Sequence, residues 1–283
     1  MKLGTWTVLL WLELVGLTAL TAWAQGPGPT SIPIRLKDGY LVVAKGSVGS
    51  LDNLTFLVDT GTSRTLIDSR IAKQLQLAAV AHSLTVFDHE VEVKLVELPD
   101  LRLGAIHALS PGVIAMDLSG IARRFGLHAD AIVGMDILRL SSFSIDYQSG
   151  RIWFGDSEPM ASALALENSQ PYLIVKARID DLPVSLMIDT GCKGVVLFAN
   201  RLPEKLKKVY FPASRALTVG GEAPLAEIGS GNLGVATSPT QKVTLQIVST
   251  GNNDMGYDGI VGVRALHASR IRFNFEQMTV SWR

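Results

Sequence analysis

The chain has 283 residues, of which 47% are hydrophobic and 18% are charged, so a packed globular protein is expected rather than a disordered one. The 26 lysines and arginines are balanced by 26 aspartates and glutamates, and no block of basic residues stands out. This balance gives no indication of nucleic acid, or of an anionic membrane surface, as a partner.

The N-terminal residues have the pattern of a secretory signal peptide. Lys2 supplies a positive charge, residues 8–20 are mostly apolar, and the Ala-Trp-Ala sequence at residues 22–24 offers a cleavage site between small residues. We therefore expect residues 1–24 to be a cleaved signal peptide and the mature chain to be secreted or periplasmic. An uncleaved N-terminal membrane anchor is the alternative.

In the first half of the chain, two apolar segments are predicted to be strands. They cover residues 40–44 and 54–58, and the second leads directly into Asp59, which is followed by Thr-Gly. A short surface helix is predicted over residues 69–77, because its apolar residues recur at spacings that mostly place them on one face.

The second half repeats this order of elements. Strands are predicted over residues 172–176 and 184–188, and the latter leads into Asp189, again followed by Thr-Gly and lying 130 positions after Asp59. Another short surface helix is predicted over residues 202–209. The chain is therefore interpreted as an internal duplication of one β-rich lobe.

Both halves also close in the same way. An apolar-apolar-Gly segment ends 75 residues after the first aspartate and 73 residues after the second. Alternating apolar stretches over residues 143–154 and 271–282 then read as half-buried strands, and residues 155–170 are the predicted linker between the halves. The two apolar-apolar-Gly segments are Ile132, Val133 and Gly134, and Ile260, Val261 and Gly262.

The repeated aspartate motif has a direct chemical interpretation. A carboxylate between two apolar strands is costly to bury unless another group satisfies its charge. A glycine two residues later lets another backbone approach and leaves its own N–H free to reach the acid. Two copies in matching contexts indicate that Asp59 and Asp189 form a pair of carboxylates, brought together by two similar lobes.

Other motifs carry little weight. Cys192 is the only cysteine, so no disulfide can form within the chain. The five histidines do not have metal-ligand spacing, and we expect no metal or other cofactor. Residues 229–234 match G-x-G-x-x-G, but no helical pattern follows, so the segment is interpreted as a loop rather than a dinucleotide site.

The two Asp-Thr-Gly motifs and the two apolar-apolar-Gly segments, in this order, resemble the aspartic proteases, in particular the retropepsin-like group. The resemblance covers nearly the whole mature chain. It implies a mostly β fold of two similar β-barrel-like lobes of the acid-protease type, with short helices and an active-site cleft between the lobes. The lobes are expected to be residues 25–158 and residues 159–283.

The resemblance implies an enzyme of the aspartic endopeptidase class, in which Asp59 and Asp189 activate a water molecule that hydrolyses a peptide bond. A peptide or protein is then the expected substrate. No dimer is required for the active site, because both lobes lie in one chain. A non-catalytic member of the same fold, which binds peptides or a partner protein, is the alternative, and it is supported by Cys192 and by the lack of glycine in the candidate flap of the first half, both described below.

The resemblance also implies roles for the residues that follow the aspartates. Thr60 and Thr190 are expected to hydrogen-bond across the interface between the lobes and to hold the carboxylates coplanar. Gly61 and Gly191 are expected to donate their backbone N–H groups to the inner carboxylate oxygens.

The next position differs between the halves. Thr62 is expected to donate its hydroxyl to an outer oxygen of Asp59, whereas Cys192 occupies the matching place in the second half and has a weaker donor. Cys192 as a nucleophile is a rival interpretation, although no histidine lies in a recognisable partner context.

Each half contains a candidate hairpin flap, which in the family can cover the cleft. In the second half the flap candidates are Val219, Gly220 and Gly221, because the Gly-Gly pair suits a tight turn with positive φ. In the first half they are Val86 and Phe87, and no glycine lies at the tip. Phe87 either covers substrate or belongs to the core.

Overall fold

The computed structural model of the chain describes residues 30–86, 89–155, 160, 163–167, 171–202, 211–218, 221–235, 239–249 and 255–283. The predicted signal peptide, most of the predicted helix at 202–209 and the flap candidates Phe87, Val219 and Gly220 lie outside these ranges. Within them, no helix has the length and apolar character needed to span a bilayer.

The first half of the chain is built mainly of short strands. Its elements are β1 (Thr30–Lys37), β2 (Leu41–Val48), β3 (Leu51–Val58), β4 (Leu66–Asp68), α1 (Ser69–Gln74), β5 (Ala79–Val86), β6 (His89–Glu97), β7 (Asp100–Leu103), β8 (Ile106–Leu109), β9 (Gly112–Met116), α2 (Ser119–Phe125), β10 (Ala131–Val133), α3 (Met135–Leu138), β11 (Phe143–Asp146) and β12 (Arg151–Phe154).

The second half has fewer helical residues in its described part. Its elements are β13 (Leu164–Ala165), β14 (Ile174–Ile179), β15 (Leu182–Asp189), β16 (Val195–Phe198), a 3-10 helix (Ala199–Arg201), β17 (Phe211–Thr218), β18 (Gly221–Gly234), β19 (Gln241–Val248), β20 (Gly259–Gly262), β21 (Arg270–Asn274) and β22 (Thr279–Trp282). The predicted mostly β fold is confirmed.

Most strands of each half pair among themselves, and each of these two groups of strands is called a lobe here. In the second lobe the strands follow the order β14-β15-β20-β16-β19-β18, and β18 returns to β14, which closes a six-stranded barrel with β17 outside it. The first lobe follows the related order β2-β3-β10-β4-β9-β6, with β5 beyond β6. Apolar side chains fill both lobes, and Phe56 and Leu186 are fully buried.

An antiparallel sheet of both halves joins the lobes, in the order β13-β22-β21-β11-β12-β1. The first residues of β1 pair with β12, whereas its last residues pair with β2 of the first lobe. The sheet also includes part of the predicted linker, because Leu164 and Ala165 pair with β22. The linker prediction is therefore wrong for these residues, and the neighbouring Leu166 packs in the core.

The apolar-apolar-Gly segments run through the middle of each lobe. β10 lies between β3, to which it is parallel, and β4, to which it is antiparallel. β20 lies between β15 and β16 in the same way. A Cβ atom on Gly134 would lie 2.8 Å from the carbonyl carbon of Arg64, and one on Gly262 would lie 2.6 Å from that of Cys192. Only glycine therefore fits where each segment crosses the loop after Asp-Thr-Gly.

Both predicted flap segments form hairpins. Val86 pairs with His89 between β5 and β6, and Thr218 pairs with Gly221 between β17 and β18. The loop prediction for residues 229–234 is wrong, because this segment is the last part of β18 and pairs with β19. Glycine fits there because a Cβ atom on Gly231 would lie 2.9 Å from a methyl group of Leu245.

The predicted helix over residues 69–77 forms as α1, with Asp68 as its N-cap and Ile71 and Ala72 buried. In the second half, the 3-10 helix lies just before residues 202–209, most of which are outside the described ranges. The described helices are short, as predicted, and most of the fold is formed by strands.

The aspartate just before β10 and the aspartate just before β20 make the same polar contact in their lobes. The Asp130 carboxylate accepts a hydrogen bond from the backbone N–H of Thr55 at 2.7 Å, and Asp258 accepts one from Ser185 at 2.8 Å. An arginine pairs with each aspartate, Arg70 at 3.2 Å and Arg201 at 2.8 Å. Asp130 thereby joins the start of β10 to β3, and Asp258 joins the start of β20 to β15.

Replacing Asp130 by alanine is expected to lower the free energy of unfolding by about 1–3 kcal/mol, because the Thr55 N–H loses its acceptor. Urea unfolding measures this change. Asp52→Ala is the matched control, since Asp52 is an exposed carboxylate on the same strand, β3. Equal stability of the two variants would contradict a structural role for Asp130.

Candidate active site

Asp59 and Asp189 lie where β3 and β15 end, and the structure brings them together between the lobes. Their carboxyl groups are in hydrogen-bond contact with each other. Each also accepts a hydrogen bond from the glycine of its own turn, Gly61 N–H at 2.8 Å and Gly191 N–H at 2.6 Å. The two acids are thus held against each other by their own loops.

The threonines of the two turns make reciprocal hydrogen bonds across the interface. The Thr60 hydroxyl donates to the Ile188 carbonyl at 2.9 Å, and the Thr190 hydroxyl donates to the Val58 carbonyl at 2.8 Å. The N–H of Thr60 donates to the Thr190 hydroxyl at 3.0 Å, and the reverse bond measures 3.1 Å. Both side chains are fully buried, so these bonds fix one turn against the other.

The two glycines leave room for the opposite carboxylate. A Cβ atom on Gly61 would lie 2.6 Å from Oδ1 of Asp189, and one on Gly191 would lie 2.9 Å from Oδ2 of Asp59. A side chain at either position would therefore push into the acid of the other lobe. This close approach explains the glycine in both turns.

The side chain after each glycine contacts a backbone carbonyl of its own loop, and the Thr62 hydroxyl does not donate to Asp59 as expected. The Thr62 hydroxyl donates to the Arg64 carbonyl at 3.1 Å, whereas its backbone N–H is the group that hydrogen-bonds Asp59. The Cys192 thiol likewise contacts the Gly194 carbonyl, with 3.6 Å between the two atoms. In both lobes this side chain closes its own loop, because a carbonyl two residues later lies within its reach.

Burial and mutual repulsion raise the proton affinity of the aspartate pair. Part of each side chain remains accessible, but the protein atoms around them exclude most water. Desolvation raises the pKa of Asp59, and it raises that of Asp189 well above the usual range, with the neighbouring charge of Asp59 as the next cause. Two carboxylates in contact cannot both ionise cheaply, so the pair holds one proton into a higher pH range than a free aspartate does.

This shared proton gives stability a defined pH dependence. Between about pH 4, where a free aspartate titrates, and the raised pKa of the pair, the folded state binds more protons than the unfolded state. The free energy of unfolding is therefore expected to fall as the pH rises through this window, by about 1.4 kcal/mol per unit of pKa increase.

Chemical unfolding of the unmutated chain and of Asp189→Asn, measured across this window, tests the expectation. The variant lacks the shared proton, so its stability should rise relative to that of the unmutated chain as the pH increases. Asp52→Asn, which changes an exposed carboxylate, is the control and should follow the unmutated chain. Parallel curves for all three proteins would exclude a proton shared by Asp59 and Asp189.

Apolar clusters flank the pair in both lobes. In the first lobe, Leu41 and Leu57 form a cluster that includes Leu84 of the first hairpin. In the second lobe, Cys192 packs against a cluster with Tyr172 and Tyr257, whose ring centroids lie 5.5 Å apart. No sequence pattern indicated the tyrosine pair, because its members are 85 positions apart.

The surroundings of Cys192 do not favour a nucleophile. Burial, followed by the charge of Asp189, raises the pKa of the Cys192 thiol to about 12. The thiol is therefore protonated at neutral pH, whereas a reactive cysteine needs its thiolate form.

Within the described part of the chain, no group of three histidine, cysteine, aspartate or glutamate side chains could hold a metal ion.

The remaining predicted residues occupy supporting positions. The apolar-apolar-Gly segments lie behind the two turns, and the N–H of Asp59 donates to the Val133 carbonyl at 3.1 Å. Asp136, just after the first segment, accepts hydrogen bonds from the Thr65 hydroxyl at 2.7 Å and its N–H at 3.0 Å. Of the flap candidates, Val86 and Gly221 lie in hairpin strands.

A comparison with known families gives one match. The aspartyl protease family model matches residues 44–137, a range that includes β3, the Asp59 turn and Gly134. No curated protein matches the chain. The match confirms the resemblance to the aspartyl proteases over residues 44–137, which include the first Asp-Thr-Gly motif.

Proposed function

We propose that the protein is an aspartic endopeptidase in which Asp59 and Asp189 together activate water. The observation that carries the proposal is the contact between the two carboxyl groups, each with a backbone N–H on one oxygen. The family match over the first lobe supports the same reaction class.

The chemistry follows from one proton on two acids. The ionised carboxylate takes a proton from a water molecule, and the resulting hydroxide attacks the peptide carbonyl carbon. The protonated carboxyl group gives its proton to the carbonyl oxygen, which yields a neutral tetrahedral intermediate. A proton returned to the amide nitrogen allows the C–N bond to break. The similar surroundings of Asp59 and Asp189 allow the two acids to exchange roles.

The substrate proposed for this site is an extended peptide segment. A peptide between the lobes could pair its main chain with the β5–β6 and β17–β18 hairpins, as added strands do. The apolar clusters of the two lobes favour apolar side chains next to the cut bond. Each lobe contributes one aspartate, so the proposed site is complete in one chain, and the repeated lobe architecture supports an internal duplication.

Cleavage of a mixed peptide library tests the proposal. Purified residues 25–283 should cut peptides at acidic to neutral pH, and Asp189→Asn should not. Mass spectrometry of the products gives the bond cut and the flanking side chains. Cleavage that persists unchanged in Asp189→Asn would exclude the aspartate pair as the catalyst.

A non-catalytic, peptide-binding protein is the second candidate. One observation favours it: the Cys192 thiol contacts the Gly194 carbonyl and does not serve as a donor to Asp189. If folded protein cuts no peptide at any pH but retains library peptides on a column, the binding function replaces the catalytic one.

We also propose that the protein acts outside the cytoplasm, on the basis of the signal-like sequence of residues 1–24. Expression of the whole chain in a bacterium, followed by fractionation and N-terminal sequencing, tests this. Export with a new N-terminus at Gln25 is expected, whereas an intact N-terminus in the membrane fraction would indicate an anchor.

A further inference from the structure

An open pocket lies beside the loop that follows Asp59. Two arginines and one aspartate contribute its charged groups, and it is named here the two-arginine pocket. Its lining residues are Ser63, Arg64, Met135, Asp136, Arg139 and Pro171.

The positive charges of this pocket are only partly compensated. The Arg64 side chain is exposed, and within the described part of the chain its guanidinium group forms no hydrogen bond or ion pair. Arg139 is half-buried and donates from Nη2 to the Pro171 carbonyl at 3.0 Å, while its buried Nε has no partner. Asp136 directs both carboxylate oxygens to Thr65. One net positive charge therefore remains.

These donors suit a carboxylate. The exposed guanidinium group of Arg64 has free donors, so a ligand that accepts from it gains charge-assisted hydrogen bonds. The planar guanidinium group matches the geometry of a carboxylate and can donate two parallel hydrogen bonds to it. Neutral backbone carbonyls, such as that of Pro171, satisfy only part of this donor capacity.

The pocket adjoins the loop that carries Asp59. Arg64 lies five residues after Asp59 in the same loop, and Thr62 of that loop accepts a hydrogen bond from Met135 at 2.9 Å. Pro171 belongs to the second half of the chain, so the pocket lies where the two lobes meet. An extended peptide advances about 3.3 Å per residue, and its side chains could reach this point a few residues from the cut bond.

The matching positions of the second lobe differ. Gly194 stands in the place of Arg64, and His267 aligns with Arg139 along the repeat. In the described part of the chain, this arrangement of two arginines therefore occurs beside one aspartate loop and is not repeated beside the other.

We propose that the two-arginine pocket binds a carboxylate of the peptide substrate on one side of the cut bond. The proposal rests on the proposed peptidase function and adds a substrate class to it. The carboxylate comes either from an acidic side chain or from the C-terminus of the peptide, and the experiment separates these sources.

The test is a scan of a peptide that the chain cuts, in which glutamate replaces glutamine at one position at a time. We expect kcat/KM to be higher for glutamate by about five-fold at one position on one side of the bond, because the ion pair is partly exposed. A second series compares free and amidated C-termini. Arg64→Gln should abolish the preference, and Arg64→Glu should replace it with a preference for lysine.

Arg35→Gln is the matched control, because Arg35 is exposed on β1 and does not line the pocket. It should keep the preference of the unmutated chain. Higher salt should weaken the preference. The proposal would be overturned if kcat/KM were equal for glutamate and glutamine at every position and equal for free and amidated C-termini. A preference that is unchanged in Arg64→Gln and Arg139→Gln would also overturn it.

A binding experiment separates this proposal from the peptidase function. Asp189→Asn is incubated with matched peptide pools that differ only in glutamate or glutamine, and the retained peptides are identified by mass spectrometry. Enrichment of glutamate that disappears in the Asp189→Asn/Arg64→Gln double variant supports the pocket even if no peptide is cleaved. Equal retention of the two pools refutes it, whether or not the unmutated chain is a peptidase.

Discussion

Asp59→Asn and Asp189→Asn are each expected to lower kcat/KM for peptide hydrolysis about 10⁴-fold, because each change removes one half of the proposed general acid–base pair. An asparagine keeps the shape of the aspartate and can still accept the N–H of Gly61 or Gly191. The loss should therefore occur without unfolding. Steady-state cleavage of one peptide found in the library, with the fold checked by thermal unfolding, measures the effect.

The double variant makes this prediction sharper. Groups that act as one unit give non-additive losses, so Asp59→Asn/Asp189→Asn should be no slower than either single variant. Asp52→Asn, which changes an exposed aspartate on β3, should keep full activity. Separate losses that multiply in the double variant would show that the two residues act independently.

Gly61→Ala is expected to lower kcat/KM about 10²-fold. The added methyl group would lie 2.6 Å from Oδ1 of Asp189, a distance that forces the carboxyl group or the turn to move. Displacement of a reacting group by about 1 Å can cost this much activity. The same peptide assay measures the loss, and the unfolding midpoint reports how much strain the turn retains.

Two other glycines provide controls for this change. Gly191→Ala should be less harmful, since the methyl group would lie 2.9 Å from Asp59 at its nearest. Gly112→Ala should have little effect, because nothing lies within 4 Å of the added atom. Equal activity of Gly61→Ala and Gly112→Ala would contradict the close approach of the two aspartate loops.

Local sequence patterns predicted most of the strand framework. Apolar runs over residues 54–58 and 184–188 form parts of β3 and β15, since strand formation there depends on residues close together in the chain. The repeated Asp-Thr-Gly motifs also indicated that two distant segments should meet. The repetition of the motif thus indicated a contact between segments that are far apart in the chain.

Contacts between distant residues outside the two Asp-Thr-Gly turns were not predicted. Asp130 and Asp258 both precede an Ile-Val-Gly sequence, so the pattern Asp-x-Ile-Val-Gly was available as a signal for the repeated carboxylate contact. The two-arginine pocket had no such signal, because Pro171 joins Arg64 and Arg139 only after the lobes pack together. The direction of the Thr62 hydroxyl was also missed, since it depends on a local loop conformation.

The pH dependence of kcat/KM for one cleaved peptide tests the central claim most directly. A pair of acids that works with one shared proton predicts a bell-shaped profile, in which the rate falls at low pH when both acids are protonated and at higher pH when both are ionised. A rate that rises through neutrality and continues to increase in alkali would contradict the claim. Such a profile would instead indicate a thiolate nucleophile such as Cys192, whose pKa is raised to about 12.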